Sequence, residues 1–107
     1  MTSLAKTSNG SALEDIVAYV HVINAGGFNA SQAFGKKLLQ LGAKLAPKLT
    51  KDVTHVVFKG SDDDLRVLYE RAVRVAPVPA IVVGVSWVTS TDTECKRALE
   101  RPHVLPR

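Results

Sequence analysis

At 107 residues, with 46% hydrophobic and 22% charged side chains, the chain has the size and balance of one folded domain with its own core. No apolar run approaches the ~20 residues of a membrane-spanning helix, and the N-terminal stretch lacks the apolar centre of a secretory signal. The net charge of +4 permits an acidic partner without demanding one, and the single cysteine, Cys95, excludes an internal disulfide and suits a reducing compartment.

Residues 1–12 are polar and aperiodic, as a flexible leader would be, which leaves 13–107 for the domain. Ile16–Ile23 is apolar at almost every position and rich in β-branched residues, the pattern of a strand covered on both faces. Asn24–Asn29 brings two glycines between asparagines and reads as a loop. Ser31 is the expected N-cap of a helix whose apolar stripe is Ala30, Phe34, Leu38 and Leu41. Gly42 stands where that helix needs a left-handed residue to stop. A short strand is expected at Ala43–Ala46, closed by Pro47, and a second central strand at Val53–Phe58.

Asp62, Asp63 and Asp64 suit the cap and first turn of a second helix, where the helix dipole favours carboxylates. Leu65, Leu68, Tyr69 and Ala72 form one of its faces; Arg66, Glu70 and Arg74 lie on another with i, i+4 spacing. Pro77 and Pro79 end it near Val75. Ala80–Val83 is a fourth buried strand, and Gly84 precedes a last helical turn carrying Val85, Trp87 and Val88. The polar stretch Thr89–Arg107 holds a short helical candidate at Arg97–Leu99 and an apolar pair, Val104–Leu105, suited to docking at a sheet edge. Strands alternating with helices predict a parallel-type sheet with helices on both faces.

Catalytic patterns are missing. His21, His55 and His103 are far apart in sequence and have no ligand at metal spacing; His21 and His55 read as structurally satisfied imidazoles and His103 as solvated. Gly35-Lys36-Lys37 lacks the first glycine and the hydroxyl of a phosphate loop, and Ser86 is not in a nucleophile elbow. Cys95 beside Lys96 and Arg97 reads as an ordinary exposed thiol, and the aspartate run as a helix start, not a metal site. The aromatics, Phe28 among them, fall at core-like positions and offer no stacking platform for a nucleic acid strand. No enzyme activity, metal or cofactor is indicated.

The strand AYVHV, the helix FGKKLLQLGA ending at Gly42, the strand Thr54-His55-Val56-Val57, the helix LYERAVRV, the strand Ile81–Val83 and Trp87 resemble, in order and spacing, a BRCT domain from about Leu13 to Pro106. The resemblance implies an α/β fold: a single domain with a four-stranded parallel sheet flanked by three helices and Gly42, His55 and Trp87 in structural roles. Within the family the likeness is to the first domain of a longer nuclear protein of chromosome-condensation control, the cell cycle and the DNA-damage response, with cytoplasmic or centrosomal pools. It therefore implies a non-catalytic protein–protein interaction module.

Many BRCT domains bind phosphoserine peptides with a hydroxyl and a glycine after the first strand and a Thr and a cation two positions apart on the second helix. Here the strand runs on as Val22-Ile23-Asn24, and the helix offers Ala72 and Arg74, so one of three side-chain elements is kept. Asn24 and the amides of Gly26 and Gly27 are the candidate replacements beside Arg74, and the pocket is incomplete. The expected partner is a protein, phosphorylated or not, with no membrane role and a monomeric isolated domain. Nucleic acid is the less favoured alternative, held by Lys44, Lys48 and Lys51, with Lys36, Lys37 and Lys59 as further candidates. A purely structural domain is the third reading.

Overall fold

The computed structural model describes residues 12–105 apart from Ala25, Pro77 and Cys95, so the expectations for the leader through residue 11 and for the thiol lie outside the described residues. Four strands, β1 (Val17–Val22), β2 (Lys44–Leu45), β3 (His55–Lys59) and β4 (Ile81–Val83), form one parallel sheet in the order β2-β1-β3-β4. Helices α1 (Ser31–Gln40), α2 (Asp62–Val75) and α3 (Val85–Glu94) cover it. Parallel strands need crossovers, and those crossovers place helices on both faces, which is why the strands are so uniformly apolar. One face, with α1 and α3, buries Leu38, Val57, Val83, Trp87 and Val88; the other, with α2, buries Val56, Phe58, Leu68, Ala72 and Val82.

Helix α1 ends as the sequence predicts. Gly42 has φ 96°, its N–H donates to the Leu39 carbonyl, and the Ala43 N–H donates to the Leu38 carbonyl, the paired bonds of a Schellman motif. Its start differs. Ser31 is the first helical residue, not the cap, and its hydroxyl accepts the Val22 N–H across the loop at 2.9 Å, while the Asn29 side chain accepts the Ser31 N–H. Val22 has passed the end of β2 and has no strand partner on that side, so the hydroxyl satisfies it. In α2 the three aspartates occupy the first turn, and the cap is Ser61, whose Oγ accepts the Asp64 N–H at 3.1 Å.

Helix α3 runs well beyond the single turn expected, through the weak helix formers Thr89–Thr93. Thr91 is fully buried and its Oγ1 accepts the Ala98 N–H, so burial overrides propensity. The same contacts cancel the helical candidate at Arg97–Leu99: the Ala98 N–H goes to Thr91 and its carbonyl takes the Trp87 Nε1–H at 3.0 Å. A single 3-10 turn follows instead at Arg101–His103. Val104 then bridges Val83 antiparallel and the Leu105 N–H donates to the Val82 carbonyl, so this segment docks at the edge of β4.

Candidate functional site

In an open parallel sheet the natural ligand crevice lies past the carboxyl ends of the strands, where the chain order reverses direction. Here β1 leads to β2 on one side and β3 leads to β4 on the other, so the reversal falls between β1 and β3. A cavity of about 470 Å³ opens at that place. Ile23, Asn24 and Gly27 line it from the exit of β1, and Lys59, Gly60, Ser61 and Asp64 from the exit of β3 and the start of α2.

The loop on the β1 side is held in shape by its own backbone. The Asn24 N–H donates to the Phe28 carbonyl, the Gly27 N–H to the Asn24 carbonyl, and Gly27 takes φ 87°. Those bonds keep the loop closed and turn Phe28 outward, leaving it 77% exposed; the expectation of a core position for Phe28 is corrected. Gly26 is also exposed.

Lys59 is the cation lining this cavity, and the same wall carries Asp64. The positive end of the α2 dipole points here, with Asp62, Asp63 and Asp64 in its first turn to oppose it. Arg74 is not brought to the site. It stands in the last turn of α2, ten residues beyond Asp64, about 15 Å up the helix axis. Nor does it hold Glu70, which pairs with Arg66 at 3.7 Å.

A smaller neighbouring cavity of about 160 Å³, sharing Asp64, is lined by His21, Phe58 and Arg71 among others. The His21 ring stacks on Phe58 with centroids 5.2 Å apart, and among the described residues its buried Nε2 has no hydrogen-bond partner, which corrects the satisfied imidazole expected there. Phe58 and Leu68 supply an apolar surface around it. His103, expected to be solvated, is half-buried, and its Nδ1 lies 2.7 Å from Ser86 Oγ.

The residues assigned structural roles sit together. Trp87 is fully buried and stacks on His55 with centroids 4.9 Å apart. His55 contacts Thr54 Oγ1 through Nδ1 at 2.9 Å and Glu100 Oε2 through Nε2 at 2.8 Å. Lys44, Lys48 and Lys51 are exposed around β2 and the turn before β3, while Lys37 is paired with Asp92 at 3.4 Å. Among the described residues no cluster of three His, Cys, Asp or Glu could hold a metal, and no helix is long and apolar enough to cross a membrane.

The family profile of the twin BRCT domain matches residues 16–87. The chain belongs to the BRCT family. Mouse (Mus musculus) microcephalin is 39% identical over 80 residues, which is 74% of this chain and 9% of that protein, so the BRCT domain spans about a tenth of the curated relative it matches. The C-terminal BRCT domain of human XRCC1 superposes with a TM-score of 0.66 at 12% identity, over 92% of this chain and 98% of that one. Rad4 BRCT1,2, solved in complex with a Crb2 phosphopeptide, superposes with a TM-score of 0.61 at 17% identity, over 90% of this chain and 48% of that one. These structural likenesses establish the BRCT fold and leave the ligand to the site itself.

Sequence reasoning missed Ser61 and Arg71 as residues lining these cavities, took Phe28 for a core position and placed Lys59 only among general basic candidates. Ser61 had a signal in Ser61-Asp62-Asp63-Asp64, a capping pattern before an apolar run. Arg71 and Phe28 had none, because their placement depends on where α2 starts and how the β1–α1 loop closes.

Proposed function

We propose that this BRCT domain is a non-catalytic docking module that seats a segment of a partner protein in the cavity between the exits of β1 and β3. The observation that carries this reading is the exposed Phe28 on the same self-bonded loop whose Asn24 and Gly27 line that cavity. A large solvent-facing aromatic on a loop that borders a concavity can fill a pocket of a partner and so anchor a protein interface. A phosphoserine is a poor occupant, since Lys59 shares the wall with Asp64 and the nearby helix start is crowded with carboxylates. The Rad4 complex with a phosphopeptide supports peptide docking as the family's habit, and the pocket differences here argue against phosphate as the main determinant.

The likeness to microcephalin supports a nuclear setting in chromosome condensation, the cell cycle and the DNA-damage response. Exposed Lys44, Lys48 and Lys51 are compatible with nucleic acid, but none of them lines the cavity between β1 and β3. The test is a fluorescence-anisotropy screen with a serine-centred peptide library in phosphorylated and unphosphorylated forms. We expect comparable affinity for both forms of a selected peptide, a loss of about tenfold or more in Phe28→Ala, and no change in Arg74→Ala. Strong phosphate preference abolished by Arg74→Ala would refute the reading.

A further inference from the structure

A second groove opens at the β2 edge of the sheet, and the reason is the brevity of β2. Its two residues pair with Val17 and Ala18 of the six-residue β1, and the last bond of that edge runs from the Ala46 N–H to the Ala18 carbonyl at 2.8 Å. Pro47 follows. In a parallel ladder every second residue directs both its backbone groups to the same neighbour. On β1 these are Ile16, Ala18, Val20 and Val22 toward β2, since Ile16 and Ala18 accept from Lys44 and Ala46.

Further along, Val22 is satisfied by α1: its N–H goes to Ser31 Oγ and its carbonyl accepts the Ala30 N–H at 2.8 Å. Between Ala18 and Val22 only Val20 remains, and among the described residues its N–H and carbonyl on this edge have no partner. Over this gap lies a groove of about 400 Å³. Tyr19 and Val20 form its floor, Leu45 and Pro47 one wall, and Lys36 and Leu39 of α1 the other.

Its chemistry is consistent. Leu39 and Leu45 are 55% and 38% exposed, so the walls present apolar surface to solvent. Lys36 lines the groove, and Lys44 and Lys48 are exposed on the two sides of the Leu45–Pro47 wall in sequence. Among the described residues no Asp or Glu lines it. Gly35 keeps the two walls close: a Cβ there would lie 3.1 Å from Leu45 Cδ1. An open backbone donor and acceptor, apolar walls, and Lys36 in the lining with exposed Lys44 and Lys48 next to its wall in sequence together specify the ligand.

We propose that this groove binds an extended, acidic-flanked segment of a partner protein, which adds to the edge of β1 beyond the end of β2. Its main chain exchanges hydrogen bonds with Val20, its alternate side chains rest on Leu39 and Leu45, and its carboxylates face Lys36 and Lys48. This is strand addition at a sheet edge, in which backbone bonds give affinity and the walls give selectivity. It shares no lining residue with the cavity between β1 and β3, so one domain can hold two segments or two partners.

The test is an NMR titration of the isotope-labelled 107-residue chain with a capped peptide of alternating valine and threonine flanked by glutamates. Saturable shifts are expected at the Val20 amide and the Leu39 and Leu45 methyls, with Asn24 and Gly27 unmoved. N-methylation of the central peptide residues removes backbone donors, and lysine flanks reverse the charge; each is expected to weaken binding about tenfold. Leu39→Glu, at an exposed site, should abolish the shifts while leaving the thermal midpoint unchanged. An unmoved Val20, full affinity in the N-methylated peptide, or the same shifts on concentrating the domain alone would overturn the proposal, the last by showing a second copy as the occupant.

Discussion

His55 lies flat on the Trp87 indole at 2% exposure, with both ring nitrogens engaged. Burial lowers its pKa below the ordinary 6.5, outweighing the hydrogen bond and charge of Glu100, which raise it. Burial alone would raise Glu100, yet the hydrogen bonds from His55 and Arg97 hold it below the ordinary 4.5. At neutral pH the pair is therefore a neutral imidazole donating Nε2–H to a carboxylate, with Nδ1 accepting from Thr54. Both shifts have the same sign: the unfolded chain takes up the proton more readily than the native one. Their stability contribution is whole above pH 6.5 and is lost as pH falls below it, first through His55 and then, below 4.5, through Glu100. We expect the urea midpoint to be lower at about pH 5.5 than at about pH 7.5, with His55→Gln flattening the difference. A flat wild-type profile would contradict this account.

Elements in this domain stop where specific residues stop them. Gly42 ends α1 at φ 96°, a conformation that costs a residue with a side chain about 1–2 kcal/mol. Gly42→Ala should lower unfolding free energy by that amount in urea titration, with the folded-state spectrum unchanged. This terminator was legible because a glycine after an apolar stripe is a local signal. So were the four strands, whose β-branched runs need no knowledge of their neighbours. The length of α3 was hidden, since Thr89–Thr93 reads as weak helix and becomes helical only when Thr91 is buried and bonded to Ala98. Ser31 misled for a similar reason: a cap and a clasp on the Val22 amide look identical until the helix is laid against β1.

The molecule as a whole is closed by its last described residues. The Gly84 N–H donates to the His103 carbonyl, the Leu105 N–H to Val82, and the Tyr69 hydroxyl of α2 to the Leu105 carbonyl, so β4, α2 and the chain end are tied together. Deleting residues 103–107 should cost roughly 2–4 kcal/mol, about 1 kcal/mol for each of these bonds plus lost packing of Leu105, and should leave an exposed sheet edge. Urea unfolding and light scattering would register both effects; an unchanged midpoint would show that the segment is not structural. The sequence by itself determined the BRCT fold, because strand runs, the stop at Gly42 and a lone Trp87 are carried by local composition and spacing. Only the tertiary structure decided where the two proposed docking surfaces lie. It put Arg74 in the last turn of α2, about 15 Å up the helix from Asp64, set Lys59 at the cavity between β1 and β3, exposed Phe28 and, among the described residues, left His21 Nε2 and the edge groups of Val20 without partners. Each of these depends on where α2 begins and on how far β2 runs beside β1, which are relations between distant segments and are written in no single stretch of the chain.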